Sequence, residues 1–410
     1  MKTVGLITEY NPFHKGHLYH LNKAKEVTGA DRVIVVMSGD FVQRGIPAIT
    51  DKFTRAHMAL AEGADLVVEL PCIYATASAE YFALGAVALL TQLGCVDYLC
   101  FGSECGDISL LSHVADFLLE EPAEYQTALK SHLQSGKSYP SARLAALSDT
   151  WKGAFADVKD ILESPNNILA LEYLKALKRL NSAIIPVTIQ RIGAGYHANH
   201  ISSDFTSATA LRKIILESAN PTPIFEQQIP KYAQQVLASA LSCAGAVGAN
   251  DFSAFLSYAL LMNKAHLTDY LDIDSDLADR IVKKLPEYTD YVGFADLLKT
   301  KAYTHTRITR SLCHILLDIR KMHMDTYLAE NICFYAKALG FRRDGAPLLK
   351  AIKGNSSIPL ITKLSQVSTV LSSTGLAMLQ QDLKASEIYH NRPTKKGSAY
   401  NEYTKPLIIL

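Results

Sequence analysis

Two histidines flank a glycine where a predicted strand is followed by a predicted helix. Residues 4–7 form a short apolar run, and from residue 18 the apolar side chains return at helical spacing. His14, Gly16 and His17 therefore lie at a helix N-terminus, where free backbone N–H groups and the helix dipole favour an anion. Gly16 has no Cβ to keep a phosphate away from the backbone, and both imidazoles can donate to phosphate oxygens. The pattern indicates a phosphate-binding site.

A second stretch, residues 205–212, carries similar chemistry at the start of a later helix. Its hydroxyl groups, including those of Ser207 and Thr209, and its free N–H groups can bind an anion. Arg212 follows one turn into that helix, and a guanidinium can contact phosphate with two N–H groups at once. Either stretch alone also fits an ordinary loop or helix cap, but two of them in one chain favour a nucleotide site.

Alternating strands and helices must position these residues. Such alternation is typical of a doubly wound parallel sheet, which binds ligands at the carboxyl ends of its strands. The predicted fold class is therefore α/β. Predicted strands cover residues 2–10, 33–37, 66–70, 98–101 and 184–189, with helices between them.

The loop after the second strand, residues 38–44, contains three polar side chains that could have a function. Asp40, Gln43 and Arg44 either bind an acyl acceptor or pyrophosphate, or they form a plain polar loop. The sequence leaves both interpretations open.

Several runs of residues resemble known proteins. Residues 14–17 resemble the H-x-G-H signature of the nucleotidyltransferase superfamily, whose members transfer an adenylyl group between ATP and a nucleophile. Residues 205–212 are similar to its second signature. Longer runs resemble the bacterial tRNA(Met) cytidine acetate ligase family over most of the chain, most densely through about residue 215. Those runs are Glu9 to His17, Met37 to Gly45, Phe101 to Glu104, Ser164 to Asn167 and Arg191 to His197.

The resemblance implies which residues form the site and what fold they belong to, a Rossmann-like nucleotidyltransferase sheet. His14, His17 and Arg212 are the implied catalytic residues, with the histidines on the phosphates and Arg212 on the leaving pyrophosphate. The implied ATP contacts are Ile7, Thr8, Glu9, Tyr10, Asn11, Pro12, Phe13, His14, Lys15, Gly16, His17, Leu18, Tyr19, His20, Gly102, Asn167, Arg191, Ile192, Ser207 and Thr209.

The resemblance also implies a reaction in two steps. Acetate attacks the α-phosphate of ATP to give acetyl-adenylate and pyrophosphate, and N4 of the wobble cytidine of elongator tRNA(Met) then attacks the acetyl carbonyl. Such chemistry depends on positioning and electrostatic stabilisation more than on a covalent nucleophile. Mg²⁺ is expected to accompany ATP, although the sequence contains no dedicated metal-ligand cluster.

The predicted organisation has two parts. Residues 1–215 are a nucleotidyltransferase-like, ATP-binding catalytic domain, and residues 216–410 are an all-α region predicted to bind tRNA. Basic side chains near aromatic ones suit the phosphates and an unstacked base of a folded RNA, although solvated helix charges give the same pattern. The candidate tRNA contacts are Arg307, Arg310, Arg342, Arg343, Lys395 and Lys396.

Composition bounds these interpretations. With 410 residues, of which 49% are hydrophobic, the chain can bury a large core and is not a disordered protein. A net charge of +1 gives no global nucleic-acid signal, so RNA binding must depend on a local patch. Seven cysteines without zinc spacing predict buried free thiols. No signal peptide or long apolar run is visible, so we expect a cytoplasmic protein without a membrane segment.

Two other functions remain open from the sequence. A small-molecule adenylyltransferase would share the nucleotide site but lack a tRNA surface, and the long helical second half argues against it. A non-catalytic nucleotide-binding or scaffold protein would not need both phosphate-binding stretches. ATP–pyrophosphate exchange separates an enzyme from a scaffold, and salt-dependent tRNA binding separates the two kinds of enzyme. The oligomeric state stays open.

Overall fold

A computed structural model of the chain describes residues 1–137, 139–151, 155–191, 207–218, 222–393 and 400–410. The strands in these ranges are β1 (Thr3–Thr8), β2 (Arg32–Ser38), β3 (Phe41–Val42), β4 (Ile46–Pro47), β5 (Leu66–Leu70), β6 (Tyr98–Ser103), β7 (Ile185–Gln190), β8 (Ala336–Phe341), β9 (Leu360–Ile361) and β10 (Ile408–Ile409).

Helices connect the strands and form most of the C-terminal half. The first twelve are α1 (Lys15–Thr28), α2 (Lys52–Ala61), α3 (Cys72–Ala75), α4 (Ala79–Gln92), α5 (Ile108–Glu120), α6 (Ala123–Gln134), α7 (Tyr139–Thr150), α8 (Phe155–Glu163), α9 (Pro165–Arg179), α10 (Ala208–Glu217), α11 (Thr222–Gln228) and α12 (Lys231–Ala244). The others are α13 (Ser253–Asn263), α14 (Ser275–Lys284), α15 (Tyr291–Leu298), α16 (His305–Leu317), α17 (Lys321–Glu330), α18 (Ala346–Asn355), α19 (Val367–Val370) and α20 (Ser373–His390).

Parallel strands form the centre of the main sheet in the order β5-β2-β1-β6-β7. β1 is therefore central, with β2 on one side and β6 on the other. The predicted strands and the α/β fold class are confirmed. Because the strands are parallel, their carboxyl ends share one edge of the sheet, which we call the carboxyl edge. The loops after β1, β6 and β7, which carry His14, Glu104 and Arg191, leave from it.

The C-terminal region is mainly helical, but it also contributes three strands to this sheet. β8 pairs antiparallel with β5, and β9 and β10 both pair with β8. The expectation of an all-α region is corrected in this respect. β8 has no β-branched residue and contains Ala, Lys and Gly, which strands disfavour, so its sequence carries no strand signal. Pairing with β5 determines its conformation.

Side chains of β2 alternate between two buried cores. Val35 and Met37 face a core shared with α1, α2 and α10 to α12, whereas Ile34 and Val36 face a core shared with α4 and α9. A central parallel strand is buried on both faces, which explains its continuous apolar run. The sheet therefore provides a rigid support for the loops at the carboxyl edge.

All seven cysteines are free thiols. Cys243 is exposed, and Cys95 and Cys105 are only partly buried, so the prediction that every cysteine is buried is wrong at these positions. Cys243 belongs to the last turn of α12, past Leu237, the last buried residue of that helix. Among the described residues, no helix is both long enough and apolar enough to cross a membrane.

A cluster of buried charges joins the C-terminal region to the carboxyl edge. The Nζ of Lys52 lies 2.9 Å from both Glu69 Oε1 and Glu402 Oε2. The Nζ of Lys337 lies 2.6 Å from Glu69 Oε2 and 2.5 Å from Glu402 Oε1. No side chain of the four is more than 4% exposed. We call Lys52, Lys337, Glu69 and Glu402 the buried ion cluster, and it holds the start of α2, β5, β8 and the C-terminal tail together.

Replacing Lys52 by methionine should strongly destabilise the protein. Lys52→Met leaves two buried carboxylates with only Lys337 between them, and breaking such a pair costs about 3–5 kcal/mol. Urea unfolding measures the loss. As a control, Lys23→Met removes a surface pair with Glu26 and should change stability by no more than about 0.5 kcal/mol. A loss below about 1 kcal/mol for Lys52→Met would show that the cluster does not hold the two regions together.

Candidate active site

The first predicted motif forms the junction between β1 and α1. His14 is the N-cap of α1, and its Nδ1 accepts a hydrogen bond from the backbone N–H of Gly16 at 3.1 Å. The backbone N–H of His14 in turn donates to Nδ1 of His17 at 3.3 Å. The two rings stack, with centroids 3.7 Å apart. This reciprocal capping fixes both imidazoles at the helix N-terminus.

These hydrogen bonds determine the protonation of both rings. Each Nδ1 accepts an N–H, so the proton of the neutral ring is on Nε2, which becomes a donor. Burial, together with Arg191 and Arg212, lowers the pKa of His14 to about 3. Burial, with His14 and Arg191, holds the pKa of His17 well below its usual value. Both histidines are therefore neutral hydrogen-bond donors at physiological pH.

His20 extends this row of imidazoles by one turn of α1. Burial, with Arg191 beside it, lowers its pKa to about 4. Its Nε2 is buried and has no hydrogen-bond partner among the described residues. A buried ring nitrogen near an arginine and two further imidazoles fits a place where a bound group supplies the missing contact.

The second predicted stretch lies next to the first. Ser207 is the N-cap of α10, and its Oγ accepts from the backbone N–H of Ala210 at 3.2 Å. Arg212 donates to the Oγ1 of Thr209 at 3.1 Å and to the backbone oxygen of Asn11 at 2.8 Å. The hydrogen bond to Asn11 ties α10 to the β1–α1 junction. The structure thus brings both predicted phosphate-binding stretches together.

Arginines supply the positive charge around His14. After burial, the charges of Arg191 and Arg212 are the causes that lower the pKa of His14, so both guanidinium groups lie near it. Burial lowers the pKa of Arg212, and the positive charge of Arg44, in the loop after β2, lowers it further. The carboxylate of Glu9 has the opposite effect on the pKa of both arginines. Guanidinium groups stay charged even when burial lowers their pKa. This edge of the sheet is therefore built to bind anions.

The β6–β7 side of the site is held by a reciprocal pair of hydrogen bonds. The carboxylate of Glu104 accepts from the backbone N–H of Asn167 at 2.8 Å, and Oδ1 of Asn167 accepts from the backbone N–H of Glu104 at 2.8 Å. Arg191 donates to Oδ1 of Asn166 at 3.3 Å. A Cβ on Gly102 would lie 3.2 Å from Cγ of Arg191, so the arginine packs directly over this glycine. Gly102, Asn167 and Arg191 are thus adjacent.

Other residues of the predicted set have different surroundings. Tyr10 and Phe13 are buried in the core beneath His17, with ring centroids 4.9 and 5.7 Å from its ring. Lys15 is exposed at the first position of α1. Ile192 lies outside the described residues.

The predicted tRNA contacts are not in one place. Arg307 donates to Asp274 Oδ2 at 2.7 Å, and Arg310 donates to Asp272 Oδ2 at 2.8 Å; both lie on α16, which packs against the loop after β2. Arg342 and Arg343 follow β8, whose antiparallel direction puts its end at the edge opposite the carboxyl edge. Lys395 and Lys396 lie outside the described residues.

Sequence reasoning missed Arg55, which is fully buried beneath the site. Its guanidinium donates to the backbone oxygens of Glu9 at 2.7 Å, Ser38 at 3.0 Å and Thr50 at 3.1 Å, and also to that of Gly39. It therefore joins the ends of β1 and β2. The sequence carries no signal for this role, because the burial of Lys52 and Arg55 on one face of α2 is known only from the structure.

Two neighbouring helix N-termini, one with neutral imidazoles and the other with an arginine tied to the β1–α1 junction, are typical of a nucleotidyltransferase. The sequence model of the family described as HIGH Nucleotidyl Transferase matches residues 1–403. A tRNA(Met) cytidine acetate ligase of Thermoanaerobacter sp. (strain X514) is 42% identical, and one of Acetivibrio thermocellus is 40% identical, each over 100% of both chains. The chain belongs to the tRNA(Met) cytidine acetate ligase family.

Solved structures agree with this assignment. The apo crystal structure of Thermotoga maritima TmcAL matches with a TM-score of 0.94 and 32% identity, covering 100% of both chains. A second crystal structure of Thermotoga maritima TmcAL, bound with alpha-thio ATP, matches with a TM-score of 0.92 and 31% identity, covering 100% of this chain and 99% of the other.

Acidification should destabilise the protein through its buried neutral histidines. Unfolded histidine has a pKa near 6.5, whereas that of His14 is about 3. Between these values the unfolded state binds more protons than the folded state, so stability falls as pH falls. Each such histidine contributes up to about 1.4 kcal/mol per pH unit. Urea unfolding at pH 7 and pH 5 should show a shallower pH dependence for His14→Asn, which keeps a capping oxygen.

The exposed His113 serves as the control for this measurement. His113→Asn should leave the pH dependence of the free energy of unfolding as in the wild type. If His14→Asn also leaves it unchanged, His14 is not held neutral by the fold.

Proposed function

We propose that this chain activates acetate with ATP and transfers the acetyl group to N4 of the wobble cytidine of elongator tRNA(Met). The observation that carries the proposal is the position of His14 and His17, two neutral donors at a helix N-terminus with arginines nearby. Such a site stabilises charge that develops on a phosphoryl group without offering a covalent nucleophile. Acetate itself is then the nucleophile.

In the first step, a carboxylate oxygen of acetate bonds to the α-phosphorus, and the bond from that phosphorus to the bridging oxygen of pyrophosphate breaks. The Nε2–H groups of His14 and His17 would contact the phosphate oxygens. Arg212, with Thr209, would hold the leaving pyrophosphate. Arg191, which packs over Gly102, would hold the nucleoside part of ATP. Holding both anions in position supplies much of the acceleration.

In the second step, N4 of cytidine bonds to the acetyl carbon, the carbon–oxygen bond to AMP breaks, and N4 loses a proton. The products are AMP and N4-acetylcytidine in the tRNA. We place this reaction in the cytoplasm, because its substrate is a tRNA.

We infer that Mg²⁺ enters with ATP, bound mainly by its phosphates. Among the described residues, no group of three or more His, Cys, Asp or Glu side chains is placed to hold a metal ion by itself. Glu9 is the carboxylate beside Arg44 and Arg212, and its Oε1 accepts from the backbone N–H of Gln43 at 3.1 Å. One protein carboxylate together with phosphate oxygens fits the way Mg²⁺ is usually held.

Transfer of radiolabel from acetate to tRNA tests the proposed function. With ATP present, the wild type should transfer label to total tRNA, and nucleoside analysis should find it in N4-acetylcytidine. His17→Ala should lower turnover by about 10²- to 10³-fold, because it removes one donor to the reacting phosphate. His113→Ala should keep full activity, and circular dichroism checks that both variants are folded.

Two outcomes would contradict the proposal. Transfer of AMP to a small metabolite, with no label in tRNA, would make the protein a small-molecule adenylyltransferase. Unchanged turnover in His17→Ala would remove the imidazoles from the chemistry.

We also infer that tRNA approaches along α16, next to the carboxyl edge, and that Arg307 contacts its phosphates. Arg310 would contribute from the same helix. A longer tRNA footprint would include Arg342 and Arg343, at the opposite edge of the sheet. It would also include Lys395 and Lys396. Since the side chains of Arg307 and Asp274 are 34% and 45% exposed, their ion pair contributes little stability and can exchange for a phosphate.

Arg307→Gln should weaken tRNA binding and make it less sensitive to salt. Losing one phosphate contact lowers the slope of log K against log salt by about 1. Filter binding at several salt concentrations measures the slope. Lys23→Gln, which removes a surface lysine paired with Glu26 on α1, should leave it unchanged. An equal slope for Arg307→Gln and the wild type would place the tRNA elsewhere.

A further inference from the structure

The order of the strands divides the site into two sides. β1, which ends at the His14 junction, lies between β6 and β2. Gly102, Asn167 and Arg191 all lie on the β6–β7 side. The side toward β2 is formed by the loop from Ser38 to Gly45. A substrate that meets the nucleotide at His14 therefore has the β2 side as its place.

Arg44 is the cation on that side. Burial lowers its pKa, and the nearby carboxylate of Glu9 opposes this effect. The positive charge of Arg44 adds to the effect of burial in lowering the pKa of Arg212, which lies on the second phosphate-binding helix. Arg44 is thus close to the residues that would hold the pyrophosphate, but it belongs to a different element and a different side of β1.

The other cations of the site have contacts that assign them elsewhere. Arg212 donates to Thr209 and to the backbone oxygen of Asn11, within the second phosphate-binding stretch. Arg191 donates to Asn166 and packs over Gly102, on the nucleoside side. His14 and His17 are neutral donors. Lys52 and Arg55 also lie on the β2 side, but both are fully buried, against carboxylates and backbone oxygens respectively. Arg44 is therefore the cation that we assign to a second anion on this side.

The backbone around Arg44 is held by the C-terminal region. The backbone oxygen of Arg44 accepts from Oγ1 of Thr309 at 2.7 Å, and that of Gly45 accepts from the hydroxyl of Tyr291 at 3.0 Å. Gly45 has a φ of 66°, and a Cβ there would overlap the backbone of Arg310. Only glycine fits this close approach without strain.

The beginning of the same loop is also fixed. Oδ1 of Asp40 accepts from the backbone N–H of Lys52 at 2.8 Å, and its Oδ2 accepts from the hydroxyl of Ser386 at 2.6 Å. The Nε2 of Gln43 donates to the backbone oxygen of Ala77 at 3.4 Å. A loop anchored at both ends holds the backbone of Arg44 in one position, which reduces the entropy lost on binding a small ligand.

We propose that Arg44 binds the carboxylate of acetate and aims it at the α-phosphorus of ATP. The inference rests on the proposed function and names a substrate contact within the same site. A guanidinium matches the two oxygens of a carboxylate, so one oxygen can stay on Arg44 while the other attacks. As that oxygen bonds to phosphorus and pyrophosphate leaves, Arg44 keeps the acyl group beside the path of the incoming amine.

Acetate-dependent exchange of labelled pyrophosphate into ATP, without tRNA, tests this role. Arg44→Gln should raise the KM for acetate by about 10- to 100-fold, as expected for the loss of a charge-assisted hydrogen-bond pair. Its KM for ATP should change by no more than about twofold, within the range of a neutral substitution. Arg44→Lys should recover part of the acetate affinity, since it keeps the charge but not the two-point contact.

Arg212→Gln is the matched control, because it removes an arginine from the other side of β1. It should raise the KM for ATP and pyrophosphate more than the KM for acetate. Gly45→Ala keeps Arg44 but displaces its backbone, so it should raise the KM for acetate as well. Circular dichroism and the thermal midpoint check that each variant is folded.

The outcomes test the inference about Arg44 and the proposed function separately. A KM for acetate that stays at the wild-type value in Arg44→Gln overturns this inference, and so does a rise confined to ATP and pyrophosphate, which would make Arg44 a pyrophosphate contact. Absence of acetate-dependent exchange in the wild type would instead overturn the proposed function itself.

Discussion

The buried ion cluster is the interaction on which the geometry of the site depends. Lys52 is the first residue of α2, and the same helix carries Arg55, which joins the ends of β1 and β2. The Nζ of Lys52 also donates to Ser386, and its backbone N–H donates to Asp40. Although burial raises the pKa of Glu402, Lys52 and Lys337 hold it well below its usual value. The cluster thus remains charged and determines how α2, β5, β8 and the C-terminal tail meet.

The charges of the cluster and those of the site have different tasks. Inside the cluster each carboxylate is shared by two lysines, so the charges cancel. The cluster therefore serves mainly to fix the positions of the elements that carry these residues. At the carboxyl edge the histidines are neutral, and the arginines carry the positive charge toward the substrates. Arginine remains charged over the whole physiological range. Binding of anions there does not depend on histidine protonation.

Much of the fold and the position of the two predicted phosphate-binding stretches could be predicted from the sequence. Strands such as β2 and β5 are continuous apolar runs between turn signals, and the residues 14–17 lie where β1 changes to α1. β8 could not be predicted, because its residues favour no strand and its pairing with β5 joins positions far apart in the chain.

Residues that act through distant contacts were also beyond sequence reasoning. Arg55 looks like an ordinary helix residue until its guanidinium is placed against backbone oxygens of three separate segments. Arg44 had two open interpretations, and only the strand order separates the β2 side from the β6–β7 side. Local patterns predict elements, whereas such roles depend on which elements become neighbours.

The second half of the chain does more than add a surface to a nucleotide-binding sheet. Thr309, Tyr291 and Ser386 all hydrogen-bond to the loop between Ser38 and Gly45, and Lys337 and Glu402 complete the buried ion cluster. The β2 side of the site is therefore built by both halves. Because α16 both holds this loop and borders the carboxyl edge, a macromolecule that docks along α16 is brought directly to the side where the proposed acyl group is held. With the proposed roles, tRNA binding and the orientation of acetate would depend on the same set of contacts.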